Sequence, residues 1–213
     1  MKKFGFTLAE LLISLAIVAV ASALMVPAFN NIMPDKYKTR VLKYYSMVAN
    51  ATNDMLENEA LYYEVNNARG VPCIGLECDG VPLVPPYNNA QFSGLTKYRN
   101  ILVDMLDLQQ VGDSTYESPD GTKWFFRNVP IVNQGMVTTI RLTFDSKDNN
   151  NDNCSFTRNT CENPNVFRLK VNREGNVSAG DAMTDAYLHN PTNRDKKADR
   201  ETAKGYLAAG KRY

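Results

Sequence analysis

Histidine is almost absent from the sequence: His189 stands alone among 213 residues. It precedes the turn signal Asn190-Pro191-Thr192-Asn193 and has no serine or cysteine nucleophile pattern beside it, so it reads as a surface residue. Net charge is scarce as well. With 24 basic and 23 acidic residues the chain has no overall field strong enough to argue for nucleic acid as the main partner. The sequence also has no spaced metal-ligand set, no nucleophile with its base and no phosphate-binding glycine loop, and we expect a protein that is not an enzyme. Cysteine is limited to four residues, in two close pairs: Cys73 with Cys78, and Cys154 with Cys161. Neither pair has the Cys-x-x-Cys spacing usual for zinc, and both lie in segments rich in Gly, Pro and Asn. They read as stapled loops of a domain folded in an oxidising compartment. Three pairings are open, and the short separations favour Cys73 to Cys78 and Cys154 to Cys161.

Charge is missing most conspicuously between Phe6 and Phe29, where Glu10 is the only ionisable side chain. The stretch is rich in Leu, Ile, Val and Ala and has the length of a bilayer-spanning helix, about 20 residues. A carboxylate at hydrocarbon depth costs a few kcal/mol on insertion scales, so such a group pairs, neutralises or reaches the interface. Lys2 and Lys3 precede the run and supply a simple orienting charge, whereas Lys36, Lys38, Arg40 and Lys43 follow it, so counting charges leaves the topology open. Snorkelling of Glu10 to the interface is one reading. A partner for it, such as the terminal amine of a neighbouring subunit, is the other.

Lys2-Lys3-Phe4-Gly5 followed by Phe6-Thr7-Leu8-Ala9-Glu10-Leu11-Leu12-Ile13 resembles the class III signal of type IV pilins and type II secretion pseudopilins. The resemblance covers about the first 30 residues. It implies cleavage after Gly5 by a prepilin peptidase and methylase, which leaves N-methyl-Phe6 at the terminus. Glu10 then becomes the assembly glutamate. It further implies storage in the bacterial inner membrane as a single-pass protein with its globular domain outside the cytoplasm, contact with an inner-membrane assembly platform, and packing with other pilin or pseudopilin subunits into a periplasmic or extracellular helical filament. Pro27 falls where the family places a proline after the membrane stretch. Pro34 is not at a family position, and each proline either bends the helix or marks a helix end. An ordinary secretory signal cut near Ala23, within Ala21-Ser22-Ala23, is a competing reading, although Glu10 would interrupt its apolar region.

The expected fold class is α+β: a long N-terminal helical stalk, transmembrane in its first half, with a small antiparallel sheet as head, pilin-like in layout. Residues 1–5 form the leader, 6–29 the membrane and assembly helix, 30–66 a stalk extension, 67–178 the head and 179–213 a polar tail. Val41, Tyr44, Tyr45, Val48, Met55, Leu56 and Tyr63 recur at near-helical spacing along the extension. Gly70 to Gly94, with four prolines and the first cysteine pair, reads as an irregular connection. Tyr98, Ile101, Leu102, Met105 and Leu106 predict a short helix on the sheet. Strand signals cover Lys123 to Asn128, Met136 to Asp145 and Val166 to Val171, with a turn through Asn172-Arg173-Glu174-Gly175-Asn176 into Val177, and predict a meander of three or four strands. Alternation of Val137, Thr139, Arg141 and Thr143 against Thr138, Ile140, Leu142 and Phe144 leaves one face wet. Trp124 with its neighbouring phenylalanines reads as core, and an exposed aromatic ligand platform is the other reading. Asp199 to Ala209 predicts a final helix.

One further run, Asp145 to Asn153, is dense in side-chain oxygens. Asp148, Asn150 and Asp152 match the first alternating ligand positions of a calcium loop, with Asp145 nearby, but the glycine and the closing glutamate of an EF-hand are missing. Calcium is one reading, and a solvated Asn-rich turn is the other. Two function classes follow. One is a structural filament subunit. The other is a minor tip or membrane-anchored protein that binds DNA, calcium or a surface ligand.

Overall fold

The computed structural model describes residues 9, 11–20, 35–63, 73–127, 136–146, 153–156, 161, 163–193 and 195–213. Residues 11–20 are helical. Helix α1 spans Lys36–Glu57. Its start is set by Asp35, whose backbone is non-helical (φ −53°, ψ 116°) and whose carboxylate accepts from the Tyr37 amide at 3.0 Å. That is an N-cap, which satisfies one of the amides a helix start leaves unpaired. Lys38, Val41, Tyr44, Val48, Ala51, Thr52 and Met55 are buried along it at the 3–4 residue spacing of one helical face.

The stalk extension anticipated over residues 30–66 is therefore shorter than expected, and α1 has its own capped start. It ends before Tyr63, which the spacing had placed on its apolar face. Asn58 leaves the helix in an extended conformation, the Leu61 amide closes a turn on its carbonyl at 2.8 Å, and the Tyr63 hydroxyl donates to the Val81 carbonyl at 3.1 Å.

Helix α2 spans Lys97–Met105 and buries Tyr98, Ile101 and Leu102. A single antiparallel sheet follows, with strands β1 Gln109–Gly112, β2 Thr115–Glu117, β3 Lys123–Arg127, β4 Met136–Thr143, β5 Val166–Asn172 and β6 Val177–Ala179 adjacent in that order. The architecture is α+β. The meander has six strands, not three or four, because β1 and β2 carry no usable alternation. All of β1 is exposed, and β2 presents only Tyr116 to the core.

Inward residues of β3, β4 and β5 build the core. Trp124, Ile140, Leu142, Phe167, Leu169 and Val171 are each fully buried; the core role expected of the aromatic cluster holds for Trp124 and Phe126, whereas Phe125 falls on the opposite face of β3 and is only half-buried. Tyr44 of α1 meets Trp124 edge-on at 4.8 Å between ring centroids, and Phe144 lies 5.4 Å from Phe167. Edge-on and offset pairs of this kind gain from the ring quadrupoles as well as from burial. The β5–β6 turn closes on α1 at Gly175 (φ +85°), where a Cβ would run into the Leu56 side chain. Only glycine meets both conditions.

The largest departure from expectation is the C-terminus. Residues 179–213 are not a polar tail. Helix α3, Ala182–His189, buries Ala182, Met183, Thr184, Asp185, Ala186 and Tyr187, and Tyr187 packs 5.7 Å from Phe167. Helix α4, Lys196–Ala208, lies beside α3 and buries Asp199 and Ala203. Polar residues here conceal burial because their polar atoms have partners inside the fold. The Asp181 carboxylate accepts from the Thr184 amide at 2.8 Å and from the Arg168 amide, tying the start of α3 to β5.

Candidate functional site

The assembly determinants anticipated at Gly5, Phe6 and Glu10, and both prolines, Pro27 and Pro34, lie outside the described residues. The adjoining helical stretch is described, and its apolar side chains are exposed: Leu11 at 53%, Leu12 at 60%, Ile13 at 61%, Leu15 at 65% and Ile17 at 63%. Such a surface all round a helix needs lipid or other apolar helices to cover it. Among the described residues no helix is long and apolar enough to cross a membrane.

Of the cations after the apolar run, which left orientation open, Lys36, Lys38 and Arg40 pair with acids of the head. Lys38 is buried, and its three donors have three acceptors: the Asn190 carbonyl at 2.7 Å, the Asn193 carbonyl at 2.7 Å and the Asp199 carboxylate at 2.8 Å. This closes the C-terminal helices onto α1. Lys36 and Arg40 pair with Asp145 at 2.6 and 2.8 Å, and Arg40 also reaches Asp120. The hydrogen bonds from Lys36 and then Arg40 hold the Asp145 carboxyl down at about 2. Burial alone would raise the Asp120 carboxyl, but hydrogen bonds with Tyr44, Ser118 and Thr122 hold it well below the usual carboxylate range. Three of the four cations are thus engaged with acids of the head.

Asp145 was the edge of the oxygen-rich run considered for calcium, and its carboxylate is taken up by Lys36, Arg40 and the Tyr37 hydroxyl. Asp148, Asn150 and Asp152 lie outside the described residues. No group of three or more His, Cys, Asp or Glu able to hold a metal occurs among the described residues. His189 is exposed and faces Asp185, four residues back on α3, at 3.1 Å.

Both cysteine pairs are disulfides between near neighbours, Cys73–Cys78 and Cys154–Cys161. Each loop is pinned to the head. Gly75 (φ +53°) sits so close to the Arg173 carbonyl that a side chain there would overlap it, and the Leu76 amide donates to that carbonyl at 2.8 Å. Lys97 is buried over the Tyr62 ring at 4.2 Å and donates to the Cys78 carbonyl at 2.8 Å. Burial pushes its ammonium down to about 8. For the second loop, Asn165 accepts from the Cys154 amide at 2.9 Å and donates to the Phe144 carbonyl at 3.0 Å.

One constellation escaped sequence reasoning. The strand register pairs Lys123 with Thr143, Phe125 with Arg141 and Arg127 with Thr139, and pairs those β4 residues in turn with Val166, Arg168 and Lys170 of β5. Lys123, Arg127, Arg141, Arg168 and Lys170 therefore share the face of the sheet turned away from Trp124. Arg141 lies over the Phe125 ring at 4.6 Å. Burial and the neighbouring Arg168 charge both lower the pKa of Arg141, and burial lowers that of Lys170. A groove of about 540 Å³ opens there, lined by Lys123, Phe125, Arg141, Thr143, Ser146 and Arg168 among others. Alternation in β4 revealed the wet face. The cations gather only through pairing of strands distant in sequence.

Residues 1–26 match the family model of the prokaryotic N-terminal methylation motif, and the chain therefore carries a signal of the type IV pilin and pseudopilin kind. No curated protein and no solved structure matches the chain.

Proposed function

We propose that this protein is a structural subunit, a pilin or pseudopilin, of a type IV pilus-like or type II secretion filament, with no enzymatic activity of its own. The observation that carries the reading is the methylation motif at residues 1–26, which leads into a helical stretch whose apolar side chains are exposed. The motif supports processing by a prepilin peptidase and assembly with other pilin subunits. Cleavage after Gly5 frees the amine of Phe6, which the enzyme methylates. The mature chain waits in the inner membrane with its head outside the cytoplasm. On assembly its apolar helix exchanges lipid for the helices of neighbouring subunits. Glu10 then pairs with the terminal amine of the adjacent subunit, which sets the axial position of the newcomer, since an unpaired carboxylate in that apolar environment is costly.

Pairing of Lys36, Lys38 and Arg40 with acids of the head favours its outside position, because those charges travel as part of a folded domain. The test is Glu10→Ala expressed with its native filament machinery. Processed protein should accumulate in the membrane while filaments lack it. Incorporation at the level of the unaltered subunit would refute the pairing.

A further inference from the structure

The outward face of the sheet carries a cost that packing does not explain. Arg141 and Arg168 are direct cross-strand neighbours, and like charges placed opposite one another destabilise a sheet. Lys123, Arg127 and Lys170 surround them, yet among the described residues no carboxylate forms an ion pair with any of the five. Glu117, opposite Lys123, is the acid nearest in register. Three cations at the start of α1 behave differently. Lys36, Lys38 and Arg40 each have a carboxylate partner. The near-zero net charge of the chain therefore hides a segregated basic face.

Chemistry narrows the ligand. Unpaired guanidinium groups are forks for phosphate oxygens. Phe125, half-buried, stands next to Arg141 on the side away from Arg168, with Lys123 and Arg127 two residues before and after it on the same face of β3. An aromatic ring among cations on an open sheet stacks unpaired bases, and a duplex keeps its base faces covered. Thr143 and Ser146 add hydroxyls at the edge of the groove. An anionic lipid surface would use the charges but gain little from the ring; an acidic polysaccharide could set a sugar face on it, and heparin is therefore the competitor in the test. We propose that this face binds single-stranded nucleic acid, with Arg141 and Arg168 on successive phosphates and Phe125 against a base. The assignment is independent of how the N-terminal helix assembles.

The test uses the full chain in detergent and a fluorescein-labelled oligothymidylate, with binding read by anisotropy over a series of salt concentrations. Saturable binding should weaken steeply with salt. The double variant Arg141→Gln/Arg168→Gln should bind about tenfold or more weakly and show a shallower salt slope, while its urea midpoint stays the same or rises as the like-charge contact is relieved. Phe125→Leu should lose about fivefold with the slope unchanged. Lys170→Gln, at the edge of the patch, gives a weaker loss and serves if the double variant does not fold. Absence of binding at physiological salt overturns the proposal. Insensitivity to every arginine and lysine variant places any binding elsewhere and overturns it too. Affinity that ignores Phe125→Leu, or capture of heparin or phosphatidylglycerol vesicles but not of oligothymidylate, reduces the face to a general anion surface and refutes nucleic acid as its ligand.

Discussion

Two helical stretches of this chain solve the same problem in opposite ways. Helix α1 is amphipathic, and its buried side finds what it needs within the molecule: Tyr44 meets Trp124, and Lys38 meets Asp199 and two carbonyls. Residues 11–20 are apolar on every side and exposed. The head is built to satisfy itself, and the N-terminal helix is built to be satisfied by something else. The difference separates what stabilises the subunit from what would recruit it into a filament.

The strongest way to break the self-sufficiency of α1 is Asp199→Ala. It leaves the Lys38 ammonium buried without its counter-ion, and removing one partner of a buried pair costs about 3–5 kcal/mol. Urea denaturation should show this loss, with α3 and α4 becoming sensitive to protease first. Replacing both partners together, Lys38→Met with Asp199→Leu, should recover much of it.

Asp181→Ala should cost about 2 kcal/mol in the same assay, since it removes the cap of α3 and the acceptor that ties α3 to the Arg168 amide. Asp181→Asn keeps an oxygen in place and should cost less. Equal stability of Asp181→Ala and the unaltered chain would mean that α3 contributes little to the core.

Lys97 is buried like Lys38 but donates to the Cys78 carbonyl instead of a carboxylate, and burial lowers its pKa to about 8. Below pH 8 it is charged in both folded and unfolded states, and the burial cost is full. As pH rises from about 8 towards 10 the unfolded chain binds more protons than the folded one, so stability rises, on the order of 1–2 kcal/mol. Lys97→Met should flatten that rise in a series of urea midpoints.

The smallest effect belongs to Asp145. Its lowered carboxyl pKa, about 2, gives stability that is present above pH 4 and lost as pH falls towards 2. Because the group is about half exposed, solvent screening limits the contribution to a few tenths of a kcal/mol. Asp145→Asn should therefore change the acid limb of the stability curve only slightly.

Legibility followed how local the determining interactions are. The methylation signal is a contiguous motif and could be read directly, as could the 3.6-residue spacing from Val41 to Met55 and the alternation of β4. The β1–β2 hairpin could not, because its four-residue first strand is wholly exposed. Helix α3 was hidden by Asp181, Thr184 and Asp185, polar residues whose burial is tolerable only with partners supplied by β5 and by the chain end, Lys211 and Tyr213. The basic face was half legible. Arg141 was placed on the wet side, but only the register brings Lys123 and Arg168 to it.

The central claim is that this chain is cut and methylated for assembly, and the intact mass and N-terminal sequence of the membrane-extracted protein test it most directly. We predict a single species beginning at N-methylated Phe6. A chain beginning near Leu24 would mean ordinary secretion, and one retaining Met1 would mean an anchored, unprocessed domain; either result would contradict the account.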